Sequence, residues 1–184
     1  MAKGALARLL QPNLVLQGTI EHLHPAVLHE QQLRGMILDV DNTLLPTWNT
    51  DLSPAVRAWL LDIKVQMQVW LVSNNLNHRR IERIAQEVDL PFLMGAGKPS
   101  RRKICQAVHA MNLPFAEVAM VGDRLFTDIL AGNRLGMFTI LVNPILVNRL
   151  DGKSWVRNLE FWLAHQLGAP ILTDDPRQPH SEVP

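Results

Sequence analysis

Five short apolar runs, separated by polar turns and by segments with apolar residues at helical spacing, restrict this chain to one fold class. The runs are Met36-Ile37-Leu38, Val69-Trp70-Leu71-Val72, Phe92-Leu93-Met94, Glu117 to Val121 and Phe138 to Val142. Between them Ser53-Pro54 opens a helix with Val56, Leu60, Ile63 and Met67 on one face, and Asn77 caps a second with Ile81, Ile84, Ala85 and Val88. A third helix starts near Lys98-Pro99 and carries Ile104, Ala107, Val108 and Met111; a fourth runs from about Thr127 to Leu135 and stops at Gly136. Strand and helix in strict alternation predict an α/β fold, a Rossmann-like five-stranded parallel sheet sandwiched by helices.

With 184 residues and 47% hydrophobic content the chain suits one compact domain. The expected division is a single domain over 1–168, including an N-terminal extension, and a polar, proline-spaced disordered tail over 169–184. A net charge of +1 gives no reason to expect nucleic acid as a partner, although Arg outnumbers Lys by 13 to 5 and favours phosphate or carboxylate. The lone Cys105 excludes an intramolecular disulfide and a multi-cysteine zinc site, and reads as a core thiol. No apolar run is long enough to span a bilayer, and Gln11-Pro12-Asn13 breaks the N-terminal stretch, unlike a secretory leader. The expected location is cytoplasmic, with peripheral attachment to a membrane surface as the alternative.

The chemistry-bearing residues fall where such a sheet gathers ligands, at the carboxyl ends of its strands. Asp39 and Asp41 follow the first run, Ser73-Asn74 the second, Lys98 the third and Asp123 the fourth. Singly, each has a bland reading: Asp123 as a helix cap, Asp128 as a solvated helix residue, Ser73 as a turn residue, Lys98 as surface charge, and Asn42 and Thr43 as shaping a turn. Together and in order they suit phosphate ester chemistry, which needs a placed nucleophile and charge neutralisation.

Asp39-Val40-Asp41-Asn42-Thr43, Ser73-Asn74-Asn75, Gly97-Lys98-Pro99 and Gly122-Asp123-Arg124-Leu125-Phe126-Thr127-Asp128 resemble the haloacid dehalogenase superfamily of phosphatases over about residues 10 to 145, and within it the YqeG-like class IIIA branch. The resemblance implies that Asp39 becomes an aspartyl phosphate while Asp41 protonates the leaving group and then activates water. It also implies Mg²⁺ held by Asp39, the Asp41 carbonyl and Asp123, with Asp128 ordering the metal shell. Ser73 and Lys98 would grip the phosphoryl group, with Thr43 and Asn74 as further phosphate-binding positions.

Asp41 to Ser73 and Ser73 to Lys98 each hold little more than one helix and one strand, so neither has room for the family's cap domain. An open site suits a bulky substrate that covers it, and the branch points to phosphatidylglycerophosphate. The alternatives are a protein, a nucleic-acid end, a soluble phosphate ester, or a phosphate-binding module without turnover. Arg79, Arg80 and Arg83 beside the Ser73 loop, and Arg101, Arg102 and Lys103 after Lys98, would form a basic rim for an anionic membrane. Leu6, Leu9 and Leu10 near one end, and Trp155, Leu159, Trp162 and Leu163 near the other, could assist that contact, although such stripes more often pack on their own domain. His22, His24 and His29 lack the spacing of a helical metal site.

Overall fold

The computed structural model describes residues 2–145. The expectations for the helix around Trp155 and for the tail fall outside these residues. In chain order the elements are α1 (Ala2–Leu9), β1 (Leu14–Val15), α2 (Pro25–Glu30), β2 (Gly35–Leu38), α3 (Pro54–Gln66), β3 (Gln68–Val72), α4 (His78–Val88), β4 (Phe92–Leu93), α5 (Arg102–Met111), β5 (Val118–Gly122), α6 (Leu130–Asn133) and β6 (Phe138–Leu141). All strand pairs are parallel, in the order β1-β6-β5-β2-β3-β4.

The sheet has six strands rather than the five expected from the apolar runs. The addition, β1, is only two residues long, and side-chain bonds help hold it in register. Asn13 Oδ1 accepts the Thr139 N–H at 2.8 Å, and the Asn13 N–H reaches the Thr139 carbonyl at 3.0 Å. A polar residue thus does the pairing that sequence patterning assigns to apolar alternation.

Period-two alternation sorts the central strands between two cores. Met36, Leu38, Val69, Leu71, Ala119 and Val121 face α3 and α4, whereas Ile37, Val72, Val118 and Met120 face α5. The helices begin as their capping chemistry dictates. Ser53 Oγ accepts from the Val56 N–H at 3.2 Å, and Asn77 Oδ1 from the Arg80 N–H at 3.2 Å. Helix α5 starts at Arg102, later than expected, because Gly97 to Ser100 form a turn, the Ser100 N–H donating to the Gly97 carbonyl at 2.9 Å. Cys105 is half-buried at the edge of α5 and not a core residue.

The N-terminal extension is built into the domain. Ala7 and Leu10 are buried against Leu125, Ile129 and Leu141, and Asn133 Nδ2 donates to the carbonyls of Leu9 and Gln11. Leu10 is therefore not available to a membrane. The histidines serve local structure: His24 Nδ1 accepts the Ala26 N–H at the start of α2, and His29 meets Gln66. Among the described residues no helix is long and apolar enough to cross a membrane.

Candidate active site

Asp39 and Asp41 leave the same strand and part company within two residues. Asp39 remains in sheet register, its N–H donating to the Val121 carbonyl at 2.9 Å. The chain then turns, with the Leu44 N–H on the Val40 carbonyl and Asn42 at φ 64°, a left-handed conformation that Asn tolerates. Asp39 ends up buried at the centre of the strand ends, and Asp41 faces the loop after β3. Thr43 is fully buried, its hydroxyl 3.4 Å from Asp39 Oδ2.

Lys98 comes from the loop after β4, which is bonded to the loop after β3. The Ala96 N–H donates to the Ser73 carbonyl, and Asn74 holds the Lys98 backbone at both ends, accepting its N–H at 2.7 Å and donating to its carbonyl at 3.2 Å. The Asn74 side chain is thus engaged with Lys98, so a phosphate would meet Asn74 through its backbone N–H. The Ser73 hydroxyl points to Asp41 Oδ2 at 3.2 Å and accepts the Asn75 N–H at 2.9 Å; rotation about its side chain would turn it toward a ligand.

The Lys98 ammonium lies 2.6 Å from Asp39 Oδ1 and 2.7 Å from Asp128 Oδ1, the latter an ion pair without a well-aligned hydrogen bond. Asp128 reaches this point from a turn of π-helix, Leu125–Ile129, which precedes α6 in place of the regular helix expected from Thr127. Apolar spacing does not distinguish the two windings, and π turns concentrate at functional sites. The approach also requires Gly122. A Cβ there would overlap the Asp128 carboxyl carbon, so Gly122→Ala is expected to displace Asp128 and weaken divalent-cation affinity at least about tenfold, measured by calorimetry.

Asp39, Asp123 and Asp128 can each offer a carboxylate oxygen, all within 4.8 Å of one another. Three acids crowd around one lysine in a space largely withdrawn from water. Burial raises the Asp39 pKa most; Lys98 pulls it down, Asp128 and Asp41 push it up again, and the balance is about 7. Burial, then Asp39 and Asp128, hold the Asp123 carboxyl well above the usual carboxylate range. Burial opposes the charge on Lys98, but Asp128 and Asp39 outweigh it and hold its pKa above the ordinary value. Asp123 Oδ1 and Asp128 Oδ2 are buried without a hydrogen-bond partner. Orphaned oxygens, and three acids beside a single lysine, fit a hard divalent cation. The Asp41 side chain stands outside this group.

Arg80 belongs to the site, although its sequence suggested an exposed rim. It is 6% exposed, and its guanidinium holds Asp41 Oδ1 at 2.8 Å, the Asn49 carbonyl at 2.7 Å and the Pro46 carbonyl at 3.1 Å. Asn75 Nδ2 completes the set on Asp41 at 3.2 Å. The available signal was position: three residues past the Asn77 cap, Arg80 shares the inward side of α4 with Ile81 and Ile84. Arg83 instead pairs with Asp51 at the surface, and Arg101 donates to the Arg134 carbonyl.

Known proteins resemble this chain in sequence and in fold. Residues 95–144 match the family model described as HAD-hydrolase-like. The probable phosphatase YqeG of Bacillus subtilis is 37% identical over 127 residues, 68% of this chain and 73% of that protein. The chloroplastic phosphatidylglycerophosphate phosphatase 1 of Chlamydomonas reinhardtii is 27% identical, across 79% of this chain and 58% of the relative. A solved structure of 3-deoxy-D-manno-octulosonate 8-phosphate phosphatase from Moraxella catarrhalis, with magnesium and phosphate ions, superposes with a TM-score of 0.51 at 14% identity, over 78% of this chain and 93% of that one, and shares the fold. The chain belongs to the YqeG-like family of haloacid dehalogenase superfamily phosphatases.

Proposed function

We propose that this phosphatase is Mg²⁺-dependent, forms its aspartyl phosphate on Asp39, and takes phosphatidylglycerophosphate as substrate. The observation that carries the chemistry is Lys98 at 2.6 Å from Asp39, beside two further acids with unpartnered oxygens. Bound Mg²⁺ would neutralise phosphoryl oxygens, with Asp39, Asp123 and Asp128 as its carboxylate holders and the Asp41 carbonyl as a further oxygen.

The first step forms the bond from an Asp39 carboxylate oxygen to phosphorus and breaks the ester bond. The leaving alkoxide takes a proton from Asp41. In the second step Asp41 takes a proton from the attacking water, phosphate leaves and Asp39 is regenerated. Lys98 offsets charge on Asp39, while Ser73, Thr43 and the Asn74 N–H serve phosphoryl oxygens. Asp41 stands outside the acid cluster, 21% exposed at its side chain, where Arg80 and Asn75 fix its orientation for the two transfers.

Two observations support the lipid. The algal relative carries phosphatidylglycerophosphate in its name, and between Asp41 and Lys98 the described helices and strands are α3, β3, α4 and β4 alone, with no inserted cap. Phosphate release from phosphatidylglycerophosphate in mixed micelles, with Mg²⁺ or excess chelator and beside soluble phosphomonoesters, tests the reading. Strong metal-dependent turnover of the lipid over the panel is expected; turnover confined to the soluble esters would keep the chemistry and reject the substrate.

Metal binding should be pH-dependent. Asp39, raised to about 7, must release its proton to bind a cation, so Mg²⁺ affinity should weaken as pH falls through that value. Without metal, the folded chain keeps a proton that the unfolded chain loses near 3.8, so this group makes stability fall as pH rises from about 4 toward 7. Saturating Mg²⁺ should flatten that slope in thermal melts.

A further inference from the structure

The turn that Arg80 holds displays an apolar side chain to solvent. The Asn49 N–H closes the turn on the Pro46 carbonyl at 3.0 Å, and Arg80 holds the carbonyls of both residues. Between them Trp48 is 53% exposed, whereas Trp59 is buried with its indole N–H on the Leu23 carbonyl. A tryptophan fixed outward by a buried arginine is not a loose surface residue.

Leu76 repeats the pattern in the neighbouring loop. It is 77% exposed, while the loop beneath it is ordered by the Asn75 N–H on Ser73 Oγ and the Asn77 N–H on Asn75 Oδ1. Strands β2 and β3 are adjacent, so both side chains stand on the same carboxyl edge of the sheet as Asp39 and Lys98. Exposed charge on this edge is largely basic: Arg79, Arg101, Arg102 and Arg124 are exposed, and the exposed acid of these loops, Asp51, is paired with Arg83.

We propose that Trp48 and Leu76 form a wedge that enters the interface of an anionic lipid bilayer, with the surrounding arginines on the headgroups, so that the catalytic edge faces the membrane. Trp places its ring at the boundary between headgroup and chain, Leu adds apolar area, and arginines near an anionic leaflet add electrostatic attraction. This inference rests on the lipid-substrate reading and adds the surface through which the substrate is reached.

The test uses the full chain and its W48A/L76A variant, co-sedimented with vesicles of phosphatidylcholine alone or with phosphatidylglycerol. Binding of the parent to the anionic vesicles, reduced about tenfold or more in the variant, is expected. Hydrolysis of a soluble phosphomonoester should stay within about twofold, because neither side chain touches the acids. A parent that ignores anionic vesicles, or a variant that binds as the parent does, overturns the wedge. So does coverage by residues 146–184 or by a second copy, seen as a lower melting temperature or a changed mass in light scattering with vesicle binding unaltered. Turnover of detergent-dispersed phosphatidylglycerophosphate, measured in parallel, reports on the substrate separately.

Discussion

Asp39→Asn is expected to lower phosphate release by at least about a thousandfold while the protein remains folded, because the amide is close in shape but is not a nucleophile toward phosphorus. The fold should tolerate the change. Asp39 is one of three buried acids competing for one lysine, and its loss leaves Lys98 paired with Asp128 at 2.7 Å. Removing one negative charge also relieves the pressure that raises Asp123. The metal-free variant should therefore melt no lower than its parent near pH 8, and its melting temperature should change less between pH 5 and 8. Circular dichroism melts beside malachite green phosphate assays check both halves. Near-normal turnover would move the nucleophile elsewhere.

The converse change, Lys98→Met, should damage fold and chemistry together. Methionine fills much of the lysine stem's volume but leaves Asp39 and Asp128 without their shared cation. Breaking a buried ion pair from one side costs about 3 to 5 kcal/mol, equivalent to a melting temperature lower by roughly 10 °C for a domain of this size. The loss should be largest at alkaline pH and shrink toward pH 5, where the raised carboxyls of Asp39 and Asp123 take up protons. Mg²⁺ should restore part of the stability but not the turnover, since it replaces charge without replacing the ammonium against Asp39. A variant as stable as its parent in chelator would mean that Lys98 contributes little to holding the acids together.

The sequence exposed those parts of the site whose position follows from strand ends. Asp39, Ser73, Lys98 and Asp123 each follow an apolar run, and parallel strands carry such residues to one edge wherever the register falls. Three features lay beyond that logic. Arg80 looked like one of a basic trio, and only the fold distinguishes the arginine turned inward on α4 from its neighbours. The π turn that delivers Asp128 depends on one extra residue per turn, which apolar spacing does not resolve. The edge strand β1 is too short to show a period, and Asn13 holds it by a bond to a residue far along the chain. Periodicity reports what faces a core; it is silent on what one side chain reaches across space.

That last bond has a consequence for how the protein is made. Asn13 and Thr139 are 126 positions apart in the chain. At elongation rates of about 5 to 20 residues per second, the N-terminal segment waits roughly 6 to 25 s on the ribosome before its partner strand is synthesised. During that interval Ala7 and Leu10 lack the surface formed by Leu125, Ile129 and Leu141, which leaves them open to chaperones or to aberrant association. Residues synthesised before the rest of the sheet are thus among the last to find their place, and the turn bearing Asp128 receives its brace only when they do.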